Sequence, residues 1–238
     1  MLAWNFNRGA SDVRLFEMGN VFSTEGDRVN QSYHACFAGT GTFPETSLEQ
    51  TPRPLNFFDL KGDVENVLDL FATDSLRFEA PGSKYLHPGR SAKVVLNGKS
   101  VGELGQLHPD VAVDRKLKQP VWIAQLDLNA LLSIPLREPR YQRLSRFPAV
   151  ERDFSLLLDD EVAYQRLRET IAGLSIPEMV SIEPRELFRG GSVPAGKYSL
   201  LLRVIFQSSE RTLRDDEVAN WAEQVILAVK KLGGQLRS

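Results

Sequence analysis

The chain has 238 residues, 42% of them hydrophobic and 25% charged, enough apolar material for one large or two ordinary packed domains. A formal net charge of −2 excludes a chain that holds nucleic acid by bulk positive charge, so any RNA contact must come from a local patch. A single cysteine, Cys36, excludes an internal disulfide and reads as a small buried apolar residue; no CxxC pair accompanies it to suggest a metal site.

No apolar run reaches the roughly 18 residues a membrane span needs. The first residues, Met1-Leu-Ala-Trp-Asn-Phe-Asn-Arg, lack the apolar core of a secretory signal. A reducing, cytoplasmic compartment and no membrane partner are expected.

Residues 13–22 carry apolar side chains on both alternating faces, the pattern of a strand buried on both sides. A second strand is expected over 33–39, and a Thr-, Pro- and Glu-rich surface loop over 40–56. A helix opens near Phe57, with Val64, Val67, Leu68 and Phe71 at helical spacing. Asp59 or Asp63 suits its N-terminus, where exposed amides favour a carboxylate; capping is a more ordinary use of these groups than catalysis.

Leu86–Ala92 is turn-rich. Asn97-Gly98 between two apolar runs is a hairpin signal, because both residues adopt positive φ readily. His87 and His108 each precede a proline, with no Cys, His or carboxylate cluster at ligand spacing, so neither reads as a metal ligand. Residues 121–132 read as a strand running into a short helical turn, with Asp127 as its cap.

Residues 134–148 hold three prolines, which disfavours a helix. Arg137, Arg140, Arg143 and Arg146 recur every third residue. In a polyproline II segment that spacing stacks side chains on one side about 9 Å apart, a ruler of charge suited to phosphates. The alternative is an ordinary solvated linker.

From Arg146 the order is strand, helix, two strands, helix, strand. The strands are expected at Arg152–Asp159, at 180–188 (bulged or at an edge because of Pro184), at 198–206 and at 235–238. The helices are expected at 163–174 and 215–232, the second capped by Thr212 or Asp215. This βαββαβ order is the split βαβ arrangement, with both helices on one sheet face and the other face left for a partner. Residues 143–238 hold 14 Lys+Arg and 14 Asp+Glu, so no broad basic footprint marks that face.

Three ordered blocks in this region are Arg146-Phe-Pro-Ala-Val-Glu-Arg-Asp153, Gly196-Lys-Tyr-Ser-Leu200 and Phe206-Gln-Ser-Ser-Glu-Arg-Thr-Leu-Arg-Asp-Asp-Glu-Val218. They resemble the ferredoxin-like anticodon-binding domain that ends the beta subunit of bacterial phenylalanyl-tRNA synthetases. Three earlier blocks are Phe57-Phe-Asp-Leu-Lys-Gly62, Leu86-His-Pro-Gly-Arg-Ser-Ala92 and Gly102-Glu-Leu-Gly-Gln-Leu-His-Pro109. They are similar to the class II synthetase-like module of the same subunit, which is regarded as catalytically inert. In catalytic relatives a glycine-rich segment ending in Glu-Arg follows; the corresponding stretch, 121–133, holds neither Gly nor Arg.

The resemblance implies an α+β chain: an incomplete class II synthetase-like antiparallel-sheet module over 1–135, an Arg/Pro linker over 136–145, and a βαββαβ ferredoxin-like domain over 146–238. It implies a C-terminal fragment of a longer subunit, because the family places a further helix and further domains before Asn5. It also implies tRNA(Phe) and the synthetase alpha subunit, in an α2β2 heterotetramer, as partners. ATP and magnesium would serve the whole complex, with no cofactor and no catalytic residue in this fragment.

Anticodon recognition in the family is associated with an Asp and a Tyr two apart and with a Ser. These positions fall at Glu186, Phe188 and Ser199. Glu186 keeps a hydrogen-bond acceptor one methylene longer, and Phe188 keeps a stacking face without the hydroxyl. Arg140 and Arg143 are the candidate backbone contacts. For Arg152 and Arg211 structural ion pairing is the expectation. One rival is a purely structural assembly fragment with no RNA affinity of its own; the other, an independent enzyme, lacks both a nucleotide segment and a clustered polar site.

Overall fold

The computed structural model describes residues 1–43, 51–73, 75–79, 83–139, 141 and 144–237, and the chain divides into two compact units, Met1–Pro139 and Arg140–Ser238. The first unit runs α1 (Leu2–Phe6), β1 (Val13–Glu25), β2 (Arg28–Thr40), the short pair β3 (Thr42–Phe43) and β4 (Arg53–Pro54), and α2 (Phe57–Leu68). It continues through β5 (Leu76–Glu79), β6 (Leu86–Leu96), β7 (Lys99–Leu107), α3 (Pro109–Asp114), β8 (Trp122–Asp127) and α4 (Leu128–Leu132).

Its main sheet is antiparallel in the order β1-β2-β8-β7-β6-β5. Along β8, Trp122, Ala124 and Leu126 are buried while Ile123, Gln125 and Asp127 are half-exposed. The buried set meets Leu60, Val64 and Leu68 of α2 in one core, so α2 covers one face of the sheet.

Three local expectations in the first unit need correction. The strand at 13–22 is not buried on both sides: β1 is an edge strand, and Phe16, Met18 and Phe22 are exposed. Leu86–Ala92 belongs to strand β6, and its turn residues form a bulge between the Leu86–Leu107 and Ser91–Gly105 pairs. The cap of α2 is Asn56, whose Oδ1 accepts from the N–H groups of Phe58 and Asp59. Asp59 completes the reciprocal box by accepting from the Asn56 N–H, and Arg53 grips it through two hydrogen bonds. The end of β1 and the start of β2, which continue the hairpin to a turn at Gly26-Asp27, went unread, as did α1, β5 and α3.

Other features arrive as the residues imply. Asn97 (φ 49°) and Gly98 (φ 78°) form the hairpin turn between β6 and β7. Asp127 caps α4 by accepting from the Ala130 N–H at 3.1 Å.

The second unit runs β9 (Val150–Asp159), α5 (Tyr164–Ala172), β10 (Met179–Phe188), β11 (Lys197–Phe206), α6 (Asp215–Lys231) and β12 (Gln235–Leu236). Its sheet is antiparallel in the order β10-β11-β9-β12. Leu156, Leu158, Leu200, Leu202, Val204 and Phe206 pack against Leu167 and Ile171 of α5 and Val218, Val225 and Val229 of α6. Both helices therefore lie on one face, and β10 is an edge strand with a register shift at Pro184.

Neither Thr212 nor Asp215 caps α6. Glu217 does the work from inside the first turn, accepting from the Arg214 N–H at 3.1 Å and from the Arg211 guanidinium at 2.7 and 2.8 Å. The Arg211 hydrogen bonds, helped by that backbone amide, hold the Glu217 carboxyl down at about 2 against an ordinary 4.5. A depressed carboxyl stabilises the fold above its unfolded value and loses that contribution as pH falls through the folded one. The melting temperature should therefore drop more steeply from pH 4.5 to pH 2 in the wild type than in Glu217→Gln. Circular dichroism melts of both proteins check this; parallel curves would contradict it.

Candidate nucleic-acid interface

In β11, Tyr198, Leu200, Leu202, Val204 and Phe206 face the helices. Strand alternation turns Ser199, Leu201, Arg203 and Ile205 to the other face. Register carries that face across the sheet in rows: Phe188–Ser199–Leu157–Gln235, then Glu186–Leu201–Ser155, then Glu183–Arg203–Asp153.

The two ends of this face differ chemically. At one end Arg203 is fixed by Asp153 through two hydrogen bonds, at 2.7 and 2.8 Å, and pairs with Glu151 at 2.5 Å. Arg185 pairs with Glu183 at 3.2 Å. These cations are neutralised within the unit. The Asp153 carboxyl is held below its ordinary range by Arg203, as a satisfied carboxylate should be.

At the other end the Phe188 ring is 56% exposed, and the Glu186 carboxylate beside it is also exposed. A flat aromatic face next to an acceptor suits an unpaired base, by stacking and by hydrogen bonding to its edge. Ser199 shares this face, clear of the helices, yet is only 4% exposed, so it forms floor between Phe188 and Leu157 instead of an open contact. Of the three positions that the resemblance singles out, Glu186 and Phe188 are exposed and Ser199 is not.

Arg140 and Arg143 lie outside the described residues. Arg137, which opens that arginine row, is taken up within the first unit, donating to both oxygens of Asp69 at 2.7 and 2.6 Å. Arg211 forms the structural ion pair expected of it. Among the described residues Arg152 has no such pair; its guanidinium donates to the Glu151 carbonyl at 3.2 Å.

In the first unit, His87 and His108 serve as local caps, accepting from the N–H groups of Gly89 at 3.0 Å and Asp110 at 3.3 Å. Among the described residues, no group of three or more His, Cys, Asp or Glu could hold a metal. A Cβ at Gly102 would strike the Gln125 carbonyl, and one at Gly105 would strike β6 at Ser91 and Arg90. Both glycines thus serve close strand packing.

Sequence reasoning missed a polar network on the face away from α2. His34 bonds Ser32 and Gln125 at 2.7 Å each, and the Tyr85 hydroxyl donates to Glu103 at 2.6 Å. Burial, reinforced by Glu103, pushes the Tyr85 phenol well above its ordinary value. Burial likewise raises the Cys36 thiol, with Glu17 adding to it. These members come from distant stretches, and only strand register brings them together, so no local motif announces them. The Phe57-Phe58 and Gly89-Arg90-Ser91 blocks do meet, with Asn56 and Trp122, around an open groove of about 560 Å3.

Comparison with known proteins agrees with this architecture. Residues 1–128 match the family described as phenylalanyl tRNA synthetase beta chain CLM domain. Residues 145–237 match the ferredoxin-fold anticodon binding domain family. Curated relatives include the phenylalanine–tRNA ligase beta subunit of Geobacter sulfurreducens, 35% identical over 98% of this chain and 30% of its own length. The same subunit from Symbiobacterium thermophilum is 33% identical over 100% of this chain and 27% of its own. The chain thus spans under a third of the length of these relatives. With two family domains in sequence and similarity along its whole length, the chain belongs to the phenylalanine–tRNA ligase beta-subunit family.

Proposed function

We propose that the second unit binds the anticodon of tRNA(Phe) on its helix-free sheet face. The observation that carries this is the exposed Phe188 ring beside the Glu186 carboxylate, on the face that the two helices leave open. Phe188 stacks on a base, Glu186 accepts from a base edge, and Ser199 supports the ring from below. Arg140 and Arg143 supply backbone contacts from a linker over 136–145. The test is a titration of the chain with the tRNA(Phe) anticodon stem-loop against the same stem carrying an unrelated loop. Tighter binding of the cognate loop supports the reading, and equal or no binding overturns it.

A rival reading, an assembly fragment with no RNA affinity, is favoured by the self-neutralised Arg203 end and the near-burial of Ser199. That titration separates the two.

The first unit acts in our reading as a non-catalytic assembly module for the alpha subunit in an α2β2 complex, in the cytoplasm. ATP and magnesium serve that complex and not this fragment. The support is the β1–β2 hairpin, an edge element exposing Phe16 (72%), Met18 (55%) and Phe22 (63%) on one face. An exposed apolar stripe of this kind marks an interaction surface. Phe22→Asp should abolish co-purification with the alpha subunit while leaving the isolated chain's melting temperature unchanged. Retained co-purification would exclude this face.

A further inference from the structure

The difficulty with an RNA-binding role is charge. At the helix-free face and the loops bordering it, the cations are matched in turn: Arg203 with Asp153 and Glu151, Arg185 with Glu183, Arg189 with Asp160, and Lys197 with Asp159. Such pairs have no net charge to offer a phosphate.

Arg237 is different. It follows β12, and its N–H donates to the Ser155 carbonyl at 2.8 Å, so the main chain is tied to the sheet. Register pairs Gln235 with Leu157 and Leu236 with Leu156. Leu156 belongs to the helix-side core, so alternation sends Arg237 to the same face as Gln235 and Phe188. The Arg237 side chain is exposed, and its guanidinium donates to the Ser192 hydroxyl, in the loop that follows Phe188. Among the described residues no carboxylate pairs with it.

An arginine with an anchored backbone, a guanidinium oriented by a neutral hydroxyl and no carboxylate partner among the described residues is prepared for a phosphate oxygen. Strands lie about 4.8 Å apart, so the β10 and β12 backbones are separated by roughly 14 Å across this face. A short unpaired run laid across the strands would meet an aromatic ring at one edge and a cation at the other.

We propose that Arg237, positioned by Ser192, is a phosphate-binding residue of the RNA face, holding the backbone of the strand whose base stacks on Phe188. This rests on the anticodon-binding reading above and adds a site to it. It also explains how a unit with balanced charge would bind RNA: a cation with no carboxylate partner among the described residues faces the strand, and base stacking supplies the rest.

The experiment titrates the full chain with the cognate anticodon stem-loop and with a loop-scrambled stem-loop over a range of salt. Arg237→Gln should weaken binding to both RNAs about tenfold. It should also lower the slope of log affinity against log salt by about 0.7. Arg237→Lys should keep the slope. Ser192→Ala should weaken binding and keep the slope, because it removes orientation and not charge. Thermal melts confirm that each variant is folded. If the wild type binds the cognate loop and Arg237→Gln changes neither affinity nor slope, the phosphate site is wrong and the anticodon reading stands. If the wild type binds neither RNA, both fall together.

Discussion

Replacing Phe206 with alanine should lower the stability of the second unit by about 3–5 kcal/mol. Phe206 is completely buried at the end of β11, paired in register with Met179 of β10 and Val150 of β9. Its ring lies on Trp221 of α6, with centroids 5.4 Å apart and planes inclined by 27°. Truncation removes the transfer energy of the ring and leaves a cavity that a close-packed core refills only in part. It also removes an aromatic contact worth about 0.5–1.5 kcal/mol. Domains of this size are stable by roughly 5–15 kcal/mol, so the loss is a large share of the whole. Urea denaturation followed by Trp221 fluorescence measures it. A shift below about 1 kcal/mol would mean that α6 does not depend on this ring for its seat.

Phe188→Ala should have the opposite profile: little change in stability and a loss of about 1–3 kcal/mol in affinity for the cognate anticodon stem-loop. The ring is 56% exposed and sits on an edge strand, so few core contacts are lost with it. Stacking on a base is insensitive to salt, so the slope of affinity against salt should stay unchanged, unlike that of Arg237→Gln. Phe188→Tyr should retain binding, because it keeps the face and adds a hydroxyl. An alanine variant that binds as tightly as the wild type would remove the aromatic platform from the mechanism.

Much of this architecture is readable from local pattern. The βαββαβ order follows from alternating and helical periodicities in turn, and Asn97-Gly98 and Asp127 act as their residue types dictate. The caps of the two longer helices were harder. At α2 the expected Asp59 acts only as the second half of a box that Asn56 opens, and at α6 Glu217 takes the place of Thr212 and Asp215; in each box a neighbouring arginine holds the carboxylate. The Leu86–Ala92 turn residues misled because a strand can carry a bulge and continue.

The candidate positions Phe188 and Glu186 come from the family resemblance and not from local pattern. The near-burial of Ser199, paired in register with Phe188 and Leu157, had no signal in either. The ion pairs of Arg203 and the Arg237–Ser192 contact likewise join residues that only strand register brings together. Periodicity says which face a residue takes and nothing about who stands beside it there.

Pro184 has a consequence beyond its place in β10. A bare outer strand bearing Val180, Leu187 and Phe188 in the open would ordinarily recruit copies of itself into fibrils. Here the proline leaves the strand one N–H donor short, and two slips in pairing, after Met179 and after Pro184, break the regular ladder that a foreign strand would need. An incoming strand thus finds no continuous rim to extend, while the flat surface stays uncovered.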